Sequence, residues 1–564
     1  MDATIRRFWW KPKQEAGKYL AWRAWDDLCC PKAAGGLGFR RSKLFNQALL
    51  LKLAWMVVSS HESPCMVALR SKYKVSGDWL KKDPIKSASS TWRAIENIKS
   101  CIYKGACYII GDGSGVDCWK DPWVPWLPSF TPKPKNCLIS TDPLLVSTLI
   151  NSETNTWRNA TVEEFFDLDS AAAIAKIPIP FFPRPDKLTW IADSKGIFSV
   201  KSAYKVFANH FWPPNPTPVW QRLWKLKIHE RLKTLVWRIG IGVLPTNLSV
   251  FSRLSRGNHL CPLCNSEPES ISHLFFNCQA TKMFWFGPRW GLRAELFRVS
   301  CDEDVVNLVV NPPVTLVPHC DLKQSLLHAS VQIALTLELI WSFRNQLVFN
   351  GKDECPLVLI KTLEHKVFEH LNATSGESDL VFDFDLLWRP PPAGVIKINV
   401  DTAFLPGSAT IAAVARNELE LIIKAWAKKI LTSDPLTAEA FAIRWAVELA
   451  NLECWSEIAV ESDSKVCVEA SLQNFVECGW NIITLCNDTL SLASNFVSSN
   501  FVWVKREANM AAHMLAKFVP PQALPVFYFP NNLPTPVEEA WLPANILALG
   551  ECDTDTDTDT DTSF

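Results

Sequence analysis

Three carboxylates carry the chemistry with the widest reach. Asp401 ends the alternating stretch VIKINVD, Glu439 stands in TAEAFAIRWAVELA, and Asp463 lies in VESDSKVCVEA. Brought to one sheet edge they would repel one another, and divalent cations would neutralise them; oxygen donors suit hard ions such as Mg2+. Two such ions ~4 Å apart serve in-line displacement at phosphodiesters. Each acid also has a role that needs no chemistry: Asp401 as a turn residue, Glu439 as a first-turn glutamate favoured by the helix dipole, Asp463 as an N-cap. Singly those roles suffice, and a metal site needs all three acids together.

A second set lies in CPLCNSEPESISHLFFNC. Cys261, Cys264, His273 and Cys278 are spaced C-x2-C-x8-H-x4-C. Three thiolates and an imidazole are the closed tetrahedral set of a structural Zn2+, with no position left for water, so this ion is expected to fold the module and not to catalyse. Four scattered residues in a Cys-rich chain are the alternative. His513 is a further candidate. In VKREANMAAHMLAKF, Ala511, Ala512, Leu515, Ala516 and Val519 recur at helical spacing, with Asn509 at the N-cap position. At the edge of that face His513 is open to three roles: packing, metal ligation, or the remnant of a lost site.

The elements that would position these groups follow from periodicity. Lys397, Asn399 and Asp401 alternate with Ile396, Ile398 and Val400, which predicts a half-buried strand ending at Asp401. ATIAAVAR and LELIIKAWA predict two more strands around a turn at Asn417 and Glu418. LTAEAFAIRWAVELA predicts a helix capped by Thr437, with Glu439 in its first turn. A strand over Ile458–Val460 runs into Asp463 at the start of another helix, and FVWVKRE leads into the helix of His513.

At 564 residues and 48% apolar content the chain is long enough for several cores. Its greasiest stretch, LHASVQIALTLELIW, is broken by His328, Gln332 and Glu338, so no membrane span is expected. The start MDATIRRFWWKPK has no signal-peptide core. An intracellular protein is expected, nucleus or cytoplasm unresolved, with its 18 cysteines as free thiols plus a metal site. The net charge of zero hides an uneven distribution. Residues 1–140 hold 23 Lys and Arg against 11 Asp and Glu, residues 197–290 hold 12 against 3, and residues 391–525 hold 10 against 14. Two basic modules thus precede an acidic one, and a basic face suits phosphate backbones. In RLWKLKIHERLKTLVWR, Trp224 and Trp237 could stack bases, although their helical spacing favours a core.

Taken with their contexts, INVDTAF, TAEAFAIRWAVELA, VESDSKVCVEA and REANMAAHMLAKF resemble a ribonuclease H type 1 domain of the plant retroelement-derived kind. CPLCNSEPESISHLFFNC, with FSVKSAYKVF and WKLKIHERLKTLVWR, resembles the zinc-binding module that follows the polymerase in plant LINE-type reverse transcriptases. AWRAWDDLCCPKAAGGLGFR, FNQALLLKLAW and IIGDGSGVDCWKDPWVP resemble the carboxyl-terminal extension of those polymerases. The resemblance implies a multidomain α+β protein: a mostly helical N-terminal region, a small zinc-binding helical module, and a ribonuclease H-like α/β domain with a mixed five-stranded sheet.

The expected segments are a polymerase extension remnant at 1–135, a linker at 136–196, the zinc module at 197–290, a helical connector at 291–390, the ribonuclease H-like domain at 391–525 and a disordered tail at 526–564. The implied activity is hydrolysis of the RNA strand of RNA–DNA hybrids. Asp401 would bridge two Mg2+ or Mn2+ ions, Glu439 would bind one, and Asp463 would bind and position water. His513 stands where related enzymes carry a fourth aspartate, and Thr402 where they carry glycine. The first exchange is expected to favour Mn2+, and the second to crowd the hybrid. The alternative is a weak or inactive nucleic-acid-binding relic. No Y-x-D-D polymerase motif occurs in the sequence, so no copying of RNA is expected. GDGSG lacks the context of a phosphate cradle and reads as a turn.

Overall fold

The computed structural model describes residues 1–11, 19–85, 87–136, 142–213, 216–288, 291–313, 322–351, 355–374, 388–405, 407–432, 434–472, 478–519 and 525–541. The Asp-Thr repeat near the C-terminus lies outside the described residues. The chain folds into two compact units, residues 1–47 with 207–380 and residues 48–206 with 381–564. Among the described residues every cysteine is a free thiol.

The first unit is helical, and three of its helices matter below: α1 (Glu230–Gly240), α2 (Leu322–Asn350) and α3 (Pro356–Thr374). In α1, Leu232, Val236, Trp237 and Ile239 share the buried face. Helix α2 is long and apolar enough to cross a membrane. Its apolar residues, among them Val331, Ile333, Ala334, Leu337 and Ile340, instead lie in the core of this unit beside Trp237 and Phe284. The helical spacing of the tryptophans is answered accordingly. Trp237 is fully buried and its Nε1–H donates to the Gly35 carbonyl at 2.9 Å, while Trp224 is half-buried with the Lys32 ammonium 4.3 Å from its ring centre.

The second unit is built on a six-stranded mixed sheet. Its elements are β1 (Ile396–Leu405), β2 (Ser408–Arg416), β3 (Ile422–Leu431), α4 (Pro435–Leu452), β4 (Glu457–Ser462), α5 (Lys465–Ser471), α6 (Ile483–Ala493), β5 (Ser498–Trp503), α7 (Met510–Phe518), β6 (Val526–Tyr528) and α8 (Thr535–Trp541). The strand order is β6-β3-β2-β1-β4-β5. The first three strands form an antiparallel meander, and β4 and β5 add in parallel beside β1. Both faces are covered. Ile411, Ala413 and Ala415 of β2 pack with α4, whereas Ala412 and Val414 pack with α7 and α8. This is why ATIAAVAR is almost wholly apolar: a central strand buried on two faces has no polar side.

Several sequence expectations are corrected. Asp401 does not end its strand, because Thr402 to Leu405 continue it and pair with Ile411 to Ser408. Helix α4 is capped by Asp434, not Thr437: its carboxylate accepts the Thr437 N–H at 3.0 Å and the Thr437 hydroxyl at 2.8 Å. With Pro435 at the first position, Glu439 falls in the second turn. The sheet has six strands and not five. The stretch from 526, expected to be disordered, supplies β6, paired antiparallel with Ala425 to Ala427, and α8, whose Val537 is buried under α7.

Of residues 136–196, expected to be a linker, those from 142 on carry structure of their own and tie into this unit. Val146, Leu149, Val162, Phe166 and Ile174 form a core with Trp123. The Phe181 N–H and the Arg184 guanidinium both bind Asp488 of α6, which Arg444 of α4 approaches at 3.7 Å. Asp488 is fully buried, and a buried carboxylate stays charged only when cations and N–H groups surround it. Asp488→Asn is therefore expected to destabilise the second unit by about 3–5 kcal/mol, since two arginines lose their counter-charge. A denaturant titration would show it; a change under about 1 kcal/mol would make the cluster incidental.

The GDGSG loop is a turn wrapped around an internal anion. The N–H groups of Gly111, Gly113 and Gly115 donate to the Asp186 carboxylate at 2.7, 3.0 and 3.0 Å. Gly113 has φ +70°, and a Cβ at Gly111 would lie 2.0 Å from the Arg184 carbonyl oxygen, so both positions demand glycine.

Candidate functional site

Strand register brings the acids together. Val400 pairs with Ser462, so Asp463, one residue past the end of β4, comes level with Asp401 on β1. Glu439 descends from α4. One carboxylate oxygen from each of Asp401, Glu439 and Asp463 lies within 4.8 Å of the others. Asp463 is held from behind, because the Trp503 indole N–H at the end of β5 donates to its carbonyl at 3.1 Å.

Alternation along β1 sorts the supporting contacts. Thr402 lies on the α4 side, where its hydroxyl donates to Glu439 Oε1 at 2.5 Å, while its backbone N–H donates to Asp401 Oδ1 at 2.7 Å. Thr402 thus grips two of the three acids, a contact that the sequence did not announce. Asn399 and Asp401 lie on the α7 side. Asn399 Nδ2 donates to Glu461 at 2.9 Å and to Asn509 Oδ1 at 3.1 Å, and Asn509 Nδ2 donates to the Val400 carbonyl at 2.8 Å. Asn509 stands at the expected cap position, yet its side chain serves this buried network and makes no cap bond.

His513 is buried on α7 with Nδ1 2.6 Å from Asp401 Oδ2. Arg506 places an N–H donor 3.0 Å from Nε2. The same guanidinium nitrogen also stands 3.1 Å from Nδ1, so it does not single out one ring nitrogen; an ionised Asp401 carboxylate only accepts, and His513 Nδ1–H donates to it. His513 therefore stands behind Asp401, outside the group of three donors, with both ring nitrogens engaged. Arg506 was missed at the sequence level; its signal was a cation seven residues before an imidazole whose helix it precedes.

Electrostatics favour a cation here. Burial and the neighbouring Asp463 charge raise the Asp401 pKa, with His513 and the Thr402 N–H opposing. Glu439 is pushed up to about 8, chiefly by burial. Its Oε2 is buried and has no hydrogen-bond partner. A divalent ion would satisfy that oxygen and discharge the repulsion, so the donor set fits the ion that the sequence implies.

The second candidate set also closes. Cys261, Cys264, His273 and Cys278 each present a ligand atom within 4.8 Å of the others. The sulfurs of Cys261 and Cys278 are 3.9 Å apart, and Cys264 Sγ is 3.4 Å from His273 Nε2. A tetrahedron with Zn–S bonds of ~2.3 Å has edges of ~3.8 Å, so these spacings fit the ion. Local folding makes the cage. Asn265, at φ +53°, turns the chain so that its N–H reaches the Cys261 carbonyl at 2.8 Å, and a π-helical turn over His273–Asn277 sets Cys278 five residues on. Cys278 donates toward Cys261, holding the Cys261 thiol down and its own up. Behind the cage, buried Glu269 is gripped by Arg344 of α2 at 2.7 and 2.8 Å.

The comparisons fall on these two sites. The family described as zinc-binding in reverse transcriptase matches residues 198–285, which hold all four zinc-type ligands. The family described as reverse transcriptase-like matches residues 399–519, which hold Asp401, Glu439, Asp463 and His513. An Arabidopsis thaliana protein with a provisional ribonuclease H designation is 25% identical over 542 residues, 92% of this chain and 84% of its own. An uncharacterised mitochondrial protein of Arabidopsis thaliana is 31% identical over 125 residues, 22% of this chain and 80% of its own.

Among solved structures, the N-terminal RNase H domain of a Mycobacterium tuberculosis protein, fused to maltose-binding protein, is 26% identical with a TM-score of 0.21, covering 22% of this chain and 90% of that one. RNase H1 from Halobacterium salinarum is 20% identical with a TM-score of 0.18, covering 20% and 87%. TM-scores this low leave function untouched. From the two family matches and the Arabidopsis relatives, the chain belongs to a plant retrotransposon-derived family that joins a reverse-transcriptase zinc-binding module to a ribonuclease H-like domain.

Proposed function

We propose that the second unit hydrolyses the RNA strand of RNA–DNA hybrids using two divalent cations, Mg2+ or Mn2+, and that the zinc-bearing unit holds nucleic acid. The observation that carries this reading is the convergence of Asp401, Glu439 and Asp463 on one point, with Glu439 Oε2 buried and unsatisfied. These three acids would hold the metal, which supplies an activated water and stabilises charge building on the phosphate. The chain's own part is orientation. Thr402 fixes Glu439 Oε1 and leaves Oε2 buried and free to take a further partner. His513, itself fixed by Arg506, fixes Asp401 Oδ2. Groups held in this way lose little freedom when the reaction begins.

The test uses the full chain, because residues 179–196 are packed into the same unit as the acids. RNA labelled at one end is offered as an RNA–DNA hybrid, as an RNA duplex and as a single strand, with Mg2+ or Mn2+. Cleavage confined to the hybrid supports the reading. A folded chain that cuts none of them in either metal sinks it. That result would leave a non-catalytic binder, a reading favoured by one observation: both Asp401 oxygens and Glu439 Oε1 already have protein partners. His513→Asp is expected to move metal preference from Mn2+ toward Mg2+, since an oxygen donor replaces an imidazole beside Asp401. Rates measured in each metal would show it, and an unchanged ratio would confine His513 to holding Asp401.

A further inference from the structure

We propose that the cleft between α1, α2 and α3 binds a single-stranded stretch of nucleic acid. It deepens the nucleic-acid part of the reading above but rests only on the zinc-bearing unit, so it stands or falls apart from hydrolysis. The cleft encloses about 860 Å³, and its wall runs along α2 from Leu335 to Asn350. At ~1.5 Å per residue that wall is about 22 Å long, more than one nucleotide spans and enough for a short strand.

Charge identifies the occupant. Arg231, Arg238 and Lys366 all line the cleft. Arg231 is neutralised, with its guanidinium on Glu338 at 2.7 and 3.0 Å. Neither Arg238 nor Lys366 forms an ion pair with a carboxylate among the described residues. Arg238 is exposed, and its guanidinium stands 6.0 Å over the Trp9 ring. Two cations without a carboxylate partner along one groove suit a ligand with more than one anionic group, and a phosphodiester backbone supplies it.

The remaining lining selects a strand over a duplex. Trp341 and Phe349 stand on the α2 wall eight residues apart, about 12 Å along the helix, and Phe349 is 76% exposed. An exposed phenyl ring beside cations is a platform for an unpaired base, whereas a duplex presents backbone and leaves such rings without a base to stack on. Gln346 adds a buried amide oxygen with no partner, able to accept from an exocyclic amine or a sugar hydroxyl. The opposite side of α2 carries Arg344, clamped to Glu269 beside the candidate zinc ligands, so this wall is tied to the knuckle by a buried ion pair.

The proposal is tested on the zinc-loaded full chain carrying Asp401→Asn, so that no probe is cut. Fluorescence anisotropy of labelled oligouridine and oligothymidine reads affinity across a salt series. Arg238→Gln with Lys366→Gln is expected to weaken binding about tenfold and to reduce the slope of log Kd against log salt by about 1.4, each lost phosphate contact on a single strand removing about 0.7. Phe349→Ala is expected to weaken binding about fivefold or more and leave the slope unchanged. Lys52→Gln with Arg93→Gln removes the same charge from exposed positions of the other unit. Equal weakening by that pair would overturn the cleft as the site, as would wild-type affinity in the Arg238/Lys366 variant. Equal competition by duplex would overturn its preference for single strands.

Discussion

Asp401→Asn is expected to lower hydrolysis of a hybrid about a thousandfold, the effect of removing about 4 kcal/mol of transition-state stabilisation. The substitution is nearly isosteric. An amide keeps one acceptor oxygen, enough for the Thr402 N–H, and turns its NH2 toward His513 Nδ1, so the site keeps its volume while losing a negative charge and the His513 bond in its present direction. The sign of the stability change separates function from folding. Burial raises the pKa of Asp401 and of Glu439, so the folded chain holds protons that the unfolded chain releases. Without divalent ions these acids oppose folding increasingly as pH rises from the ordinary carboxylate range to about 8. Removing one of the charges relieves the repulsion. At pH 8, without Mg2+ or Mn2+, the zinc-loaded variant should melt no lower than wild type, and its activity should still be lost. A variant that melts well below wild type would show that Asp401 supports the fold, and its inactivity would then say nothing about catalysis.

Cys278→Ser is expected to release the zinc ion and lower the melting temperature of the first unit by about 10 °C. Structural zinc contributes about 10–16 kcal/mol of apparent binding energy in isolated finger peptides. Here the cage is backed by a large apolar core, and a loss of about 4 kcal/mol is the smaller figure that such support implies; in a unit of this size each kcal/mol moves the transition by about 2–4 °C. Cys261 and Cys278 are fully buried and belong to that core, so an unliganded knuckle loosens residues that Phe275, Phe276 and Trp285 pack against. A chromophoric zinc indicator should find one equivalent in the wild type and none in the variant. One equivalent retained by Cys278→Ser would remove Cys278 from the ligand set.

The grouping of the candidate ligands was readable from residue order because they sit in short, periodic segments. C-x2-C-x8-H-x4-C closes within one knuckle, and each carboxylate lies within or beside an element whose period shows in the sequence. What stayed hidden depends on register and on contacts between distant segments. Thr402 looked like an obstruction because nothing in INVDTAF shows that β1 continues past Asp401 and turns Thr402 toward α4. Asp434 was passed over as the cap because Thr437 is an equally good capping residue, and Pro435 was the cue that placed the helix start earlier. Arg506 and Asn509 act through Asp401 and Asn399, about a hundred residues away in the chain. The sixth strand was missed because Val526–Tyr528 is short and isolated, and only its pairing with β3 makes it a strand.

The buried Asp488 cluster bears on how such a chain can be cut and joined. Its anion sits on α6, its cations come from α4 and from Arg184, and Phe181 supplies an N–H. A fragment beginning near residue 390 would carry Asp488 and Arg444 but not Arg184, along with an apolar surface stripped of Phe181. The nuclease-like segment is therefore not a portable cassette: a graft onto another protein has to bring residues 179–196 along, and so does any recombination event that passes on a folded copy.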